Sequence, residues 1–132
     1  MAASSATASF SIADVAGPPE ATLEPHILIA IAPGGPAQSS DRDNFARDLF
    51  ATVPNLRDVR ITASEPLRIG GQQGHQIFAN SRDPAGGSEL TVVQWVRFGG
   101  GGYMQMVGIA RSDAWKDAYP RFRAVRDGID LR

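Results

Sequence analysis

The chain contains two histidines, His26 and His75, and no cysteine. Without cysteine there are no disulfides, no thiolate catalysis and no zinc–thiolate site. Neither histidine belongs to an HxxxH or HxH pair, so a histidine-based zinc site is not expected. His26 adjoins an apolar run and His75 follows Gly74. Both read as structural or solvent-facing side chains. Ser112 could serve as a nucleophile, but no G-x-S-x-G surrounds it and helix capping accounts for it. Asp41, Asp43 and Asp48 form an acidic group. Their spacing suits the first turn of a helix better than a calcium loop, which needs a glycine and a later glutamate. Arg121, Arg123 and Arg126 could hold a phosphate, yet Asp117, Asp127 and Asp130 balance them as on a solvated helix face. Gly99–Gly102 could cradle an anion through its backbone. No Lys–Ser/Thr pair follows, and a strand comes next rather than a helix, so a turn is the reading preferred. These residues define no catalytic, cofactor-binding or metal site, and they leave the binding residues unknown.

The elements that would position such side chains centre on Glu89–Arg111. Two apolar segments, Glu89–Phe98 and Tyr103–Ala110, flank the four glycines. A symmetric tip pairs Phe98 with Tyr103 and places Trp95 opposite Met106. One face then carries Leu90, Val92, Gln94, Val96 and Phe98 against Tyr103, Gln105, Val107, Ile109 and Arg111. The other carries Thr91, Val93, Trp95 and Arg97 against Met104, Met106, Gly108 and Ala110. Both faces are largely apolar, so something must cover each.

Upstream, Phe10–Val15 reads as a short strand, ended by Gly17-Pro18-Pro19. His26–Ala32, between Pro25 and Pro33, fits a strand buried on both faces. Pro33–Gln38 is a loop. Asp41–Val53 has Phe45, Leu49, Phe50 and Val53 on one helical stripe, Ser40 as the expected N-cap and Pro54 as the stop. Asp58–Ser64 alternates as a strand, with Pro66 as an interruption and Leu67–Ile69 as a continuation. Gly70–Gln73 is a turn, Gly74–Ser81 the next strand and Arg82–Ser88 a hairpin loop. At the end, Trp115, Tyr119, Phe122, Val125 and Ile129 make an apolar stripe. Ser112 is the expected N-cap and Gly128 lies near the C-cap. Pro120 in the middle of a regular helix would cost about 3 kcal/mol. The economical expectation is a first turn over Ser112–Ala118 and a restart with Pro120 near N1.

The 132 residues suffice for one core. Net charge is −1, giving no global field toward nucleic acid or an acidic membrane. Of the 13 basic residues only Lys116 is a lysine, which reads as coding bias. No apolar run approaches the roughly 20 residues of a membrane span. Residues 1–22 read as a flexible or irregular N-terminal segment and 23–132 as a single α+β domain. Met1–Ser9 lacks the basic and apolar regions of a signal peptide and looks like a lead-in, as a trimmed mature chain would.

The element order and three phrases resemble the PsbP-like family: LRIGGQQGHQIFA (Leu67–Ala79), VVQWVRFGGGGYMQMVGIA (Val92–Ala110) and RFRAVRDGI (Arg121–Ile129). That family includes extrinsic proteins of photosystem II and a nuclear-import factor that binds the GTPase Ran. The similarity spans Leu23–Ile129 and is mostly topological. Met1–Glu24 lacks the family's opening turn with proline and tryptophan. The resemblance implies an α/β/α sandwich, an antiparallel β-sheet flanked by helices, in a distant bacterial-type member. It implies no shared enzyme activity and no cofactor. It also implies a protein partner and a periplasmic or secreted location, with the cytoplasm as the alternative. A non-catalytic protein-binding or accessory domain is therefore the first expectation. The second is a small-ligand binder or enzyme, cystatin- or nuclear-transport-factor-like, with an apolar pocket near Trp95, Tyr103 and Met106. A close-packed layer over Trp95 would favour the first.

Overall fold

A computed structural model describes residues 8–13, 25–99 and 101–128. The strands are β1 (Ala8–Ala13), β2 (His26–Pro33), β3 (Arg57–Ile69), β4 (Gln72–Arg82), β5 (Glu89–Gly99) and β6 (Gly102–Arg111). The helices are α1 (Arg42–Phe50) and α2 (Trp115–Gly128). The strands form one six-stranded sheet in the order β1-β2-β6-β5-β4-β3, with every neighbouring pair antiparallel.

The central hairpin has the expected register: Phe98 faces Tyr103 and Trp95 faces Met106. Alternation then divides the apolar side chains between two layers. On one face Val92, Val96, Val107 and Ile109 pack with Ala46 and Phe50 of α1. On the other, Trp95, Met106 and Ala110 pack with Ala118 and Phe122 of α2. Each helix covers one face, so the architecture is an α+β sandwich of helix, antiparallel sheet and helix.

Several local expectations change. The helix stripe Phe45, Leu49, Phe50 and Val53 does meet the sheet, but Ser40 does not cap α1. It lies in a 3-10 turn, Ser39–Asp41, and no side chain caps either start. The turn satisfies a donor through backbone instead, with Asp41 N–H on the Gln38 carbonyl at 3.0 Å. The helix ends at Phe50, and the turn that follows places Val53 N–H on the Phe50 carbonyl at 3.1 Å. Pro66 does not interrupt β3, because β3 is a sheet edge and a proline there can direct its missing donor to solvent. The turn before β4 shrinks from Gly70–Gln73 to Gly70 and Gly71, both at positive φ (57° and 82°), which glycine adopts freely.

β2 buries Ile27 and Ile29 toward α2, while Leu28 and Ala30 on the opposite face are only half-buried. It lies one strand from an edge, where the α1 layer thins. Residues 8–13, inside the segment read as irregular, pair with β2 as an edge strand that includes residues 10–13 of the expected Phe10–Val15; Asp14 and Val15 lie outside the described residues.

α2 runs through Pro120 without a restart. Pro120 is exposed, so water can satisfy the Lys116 carbonyl that the missing N–H leaves free. Ser112 does not cap this helix. It opens a 3-10 turn, Ser112–Ala114, and its hydroxyl pairs with that of Thr91 at 2.8 Å. Ile129 lies outside the described residues.

Candidate functional site

Three polar side chains meet where α1 crosses β3 and β4. Asp43 comes from the first turn of α1, Ser64 from β3 and His75 from β4. The ladder pairs Pro66 with His75, so Ser64, two residues away, presents its side chain on the same face. His75 Nε2 lies 2.8 Å from Ser64 Oγ and 3.1 Å from Asp43 Oδ1. The Ser64 hydroxyl also donates to Asp43 Oδ1. Arg47, one turn along the helix, donates Nε–H to Asp43 Oδ2 at 2.8 Å. His75 is 4% exposed, and its Nδ1 is buried without a hydrogen-bond partner.

This set contains the residue types of a hydrolytic triad in a different geometry. In a triad, imidazole Nε2 takes the serine proton while a carboxylate holds Nδ1–H. Here serine and carboxylate share Nε2, the serine proton is directed at Asp43, and Nδ1 faces no carboxylate. With Nε2–H donating to both oxygens, the imidazole cannot take the Ser64 proton, and the group that faces that proton is the Asp43 carboxylate. What the cluster does is tie α1 to the β3–β4 hairpin.

The Ser64 hydroxyl, and after it Arg47, hold the Asp43 carboxyl below the usual carboxylate range, outweighing its partial burial. A folded-state value below the unfolded one contributes stability above the unfolded pKa, lost as pH falls through the folded value. We expect the protein to lose stability as pH drops below about 3.8, the ordinary value for this group. In Asp43→Asn this acid sensitivity should shrink. Urea midpoints of both proteins between neutral pH and pH 3 (approximately) check it. Equal losses in the two would show that Asp43 does not carry the effect.

A second polar tie, also on the α1 face, is fully buried. Gln94 is 0% exposed. Its Nε2–H donates to the Ala46 carbonyl of α1 at 2.9 Å, and its Oε1 accepts from Gln105 Nε2 at 2.7 Å.

Among the described residues, Trp95, Tyr103 and Met106 do not line one pocket. Trp95 and Met106 are each 1% exposed. Arg126 lies over the Trp95 ring at 4.8 Å, Tyr119 leans on it at 6.2 Å, and its indole N–H is spent on Gln76 Oε1 at 2.8 Å. Tyr103 is on the opposite face, edge-on to Phe45 at 5.1 Å, as an odd-numbered residue opposite Phe98 must be.

The remaining candidates are dispersed. His26 and His75 are in strands separated by β6 and β5. Of the acidic group only Asp43 enters the cluster, and Asp41 and Asp48 are exposed. Arg126 bonds Asp127 at 2.8 and 3.1 Å, and Arg123 lies over Tyr119 at 5.2 Å. Both guanidiniums are held by α2 itself. The hydrogen bond from Arg126 lowers the Asp127 pKa. Asp130 lies outside the described residues. Sequence reasoning missed Ser64 as a partner of His75. The only signal was the register of a two-residue Gly70-Gly71 turn.

Among solved structures, PA94 of Pseudomonas aeruginosa, a protein of unknown function, aligns with a TM-score of 0.63 and 14% identity over 96% of this chain and 83% of its own. LpqN of Mycobacterium tuberculosis aligns with a TM-score of 0.60 and 16% identity over 84% of this chain and 65% of its own. CyanoP, the PsbP of Synechocystis sp. PCC 6803, aligns with a TM-score of 0.57 and 12% identity over 94% of this chain and 82% of its own. The fold is PsbP-like. No family model matches the chain, and no curated protein matches it. At identities of 12–16% the likeness carries the PsbP-like fold and nothing finer. No described helix is long and apolar enough to cross a membrane.

Proposed function

We propose that this PsbP-like domain is a non-catalytic accessory module that binds another protein outside the cytoplasm. The observation that carries the reading is the closed layer over Trp95. The face on which a small-ligand pocket was the competing expectation is filled by the domain's own aromatic side chains. The shared nitrogen in the Ser64–His75–Asp43 set also supports it, since that geometry gives Ser64 no imidazole base of the triad kind. Among the structural neighbours, LpqN is named for cell envelope biogenesis and CyanoP is a cyanobacterial PsbP. Both support the extracytoplasmic part of the proposal.

The test is in-cell crosslinking of the full-length gene product in its native host. A partner identified this way is then purified and titrated against the domain. Direct saturable binding, with the gene product in the envelope or secreted fraction, is the expected result. Turnover in an esterase, phosphatase and peptidase screen that disappears in Ser64→Ala would overturn the proposal.

A further inference from the structure

The two edges of the sheet, β3 and β1, follow opposite rules. An edge strand presents unpaired N–H and C=O groups, which template a further strand unless something blunts them. β3 is blunted several times over. Pro66 lacks a donor, and the register shifts twice, between Arg57 and Arg60 and between Ile61 and Ala63. Asp58 holds a left-handed conformation at φ 51°, and Arg57, Arg60, Glu65 and Arg68 add charge along the same edge. β1 has none of these devices. Its sequence, ASFSIA, contains no proline, glycine or charge. It pairs with β2 from Ala8 opposite Ile31 to Ala13 opposite His26 without a register shift. No charged side chain occurs anywhere in residues 1–13. Among the described residues the helices lie away from this edge, α1 packing mainly on β4 and β3 and α2 on β6.

The sequence of β1 also selects its partner. Two copies of one edge strand, related by a two-fold axis perpendicular to the sheet, run antiparallel and keep each face of one sheet continuous with the same face of the other. A residue at such an axis meets its own copy, so a charge there would repel itself. An uncharged edge avoids that repulsion. An axis through Ser11 sets Phe10 opposite Ile12 and Ser9 opposite Ala13. Every pair then joins two even or two odd positions, so the alternation of β1 continues across the junction. Phe10 with Ile12 is an aromatic–β-branched pair and Ser11 with Ser11 a hydroxyl pair, and both are favourable cross-strand combinations.

We propose that β1 is a self-association edge whose occupant is a second copy of this chain. Two domains join antiparallel through Ser9–Ala13, centred on Ser11, into one continuous sheet. The paired stretch is short, so the product is a weak, reversible dimer rather than an obligate one. The β3 edge, broken by its bulges and Pro66, ends the sheet on the other side, so assembly closes at two copies instead of growing into a fibre. The inference goes beyond the protein-binding reading and does not depend on it.

Sedimentation equilibrium of the full chain over a series of concentrations tests it. The weight-average mass should rise from that of the 14.1 kDa monomer toward twice that value. Ser11→Lys and Ser11→Asp should each weaken self-association at least about tenfold at unchanged Tm, because like charges then face each other across the axis. Mixing the two variants should restore association, which it could not do if the substitutions had merely detached β1 from the sheet. The chain has no cysteine, so Ser11→Cys gives an independent readout. Oxidation should link this variant into a dimer through a pair that meets at the axis, while Arg60→Cys on the β3 edge should stay monomeric. A mass that remains monomeric up to about 1 mM, self-association that persists in Ser11→Lys, or variants that stay apart when mixed would each overturn the proposal.

Discussion

Replacing Phe122 with alanine should destabilise the domain by about 3–5 kcal/mol, the usual cost of removing a phenylalanine from a core. Phe122 is 0% exposed and sits on β6, where a Cβ added at Gly108 would lie 2.7 Å from its ring. Trp115 meets the same ring edge-on at 5.7 Å. The loss is a large share of the roughly 5–15 kcal/mol that keeps a domain folded. With a slope of about 2 kcal/mol/M it moves the urea midpoint by roughly 2 M. Arg123→Ala, in the same helix but exposed, should cost within about 1 kcal/mol, the worth of an exposed cation–π contact. The glycine supplies an independent check. Gly108→Ala should cost about 1–3 kcal/mol through overpacking. In a Phe122→Leu background, where the ring is gone, that cost should largely disappear as a measurable coupling. Similar urea midpoints for Phe122→Ala and Arg123→Ala would show that α2 does not hold the sheet as described.

Gln94→Glu tests the opposite face and should give a loss that depends on pH. The new carboxyl would occupy a site that is 0% exposed, with one oxygen beside the Ala46 carbonyl at the position of the present 2.9 Å bond. Ionised, it would set a negative charge against a carbonyl oxygen in a dry layer. Protonated, it can donate to Ala46 and accept from Gln105 as glutamine does. Its folded pKa is therefore raised, and the folded protein holds a proton that the unfolded chain has released at neutral pH. The stability of the variant falls as pH rises above the unfolded value near 4.3. At pH 7 the deficit is about 3–4 kcal/mol, and it should shrink to within about 1 kcal/mol of the parent near pH 4.5. Urea midpoints of both proteins across this range check it. A deficit independent of pH would mean that the carboxyl escapes to solvent and that α1 does not close over Gln94.

The alternation in Glu89–Phe98 and Tyr103–Ala110 determined the sheet's centre. Period-two patterning and a symmetric glycine tip leave one register that sorts Trp95 from Val96. The stripes Phe45–Leu49–Phe50–Val53 and Trp115–Tyr119–Phe122–Val125 likewise determined two cover helices, because these short-range patterns need no knowledge of distant residues. What the chain could not display locally depends on the position of each segment in the assembled sheet. Pro66 is harmless only because β3 is an edge, and Pro120 only because its side of α2 faces water. The helix starts depended on tight turns and a Thr91–Ser112 bond across 21 residues. The Ser64–His75–Asp43 cluster joins residues up to 32 positions apart, and the Gln94 tie reaches Ala46, 48 positions away. Such groupings are products of strand order and register. Tertiary structure alone brought them together, since hydrogen-bonding chemistry acts across a few ångströms and takes no account of separation along the chain.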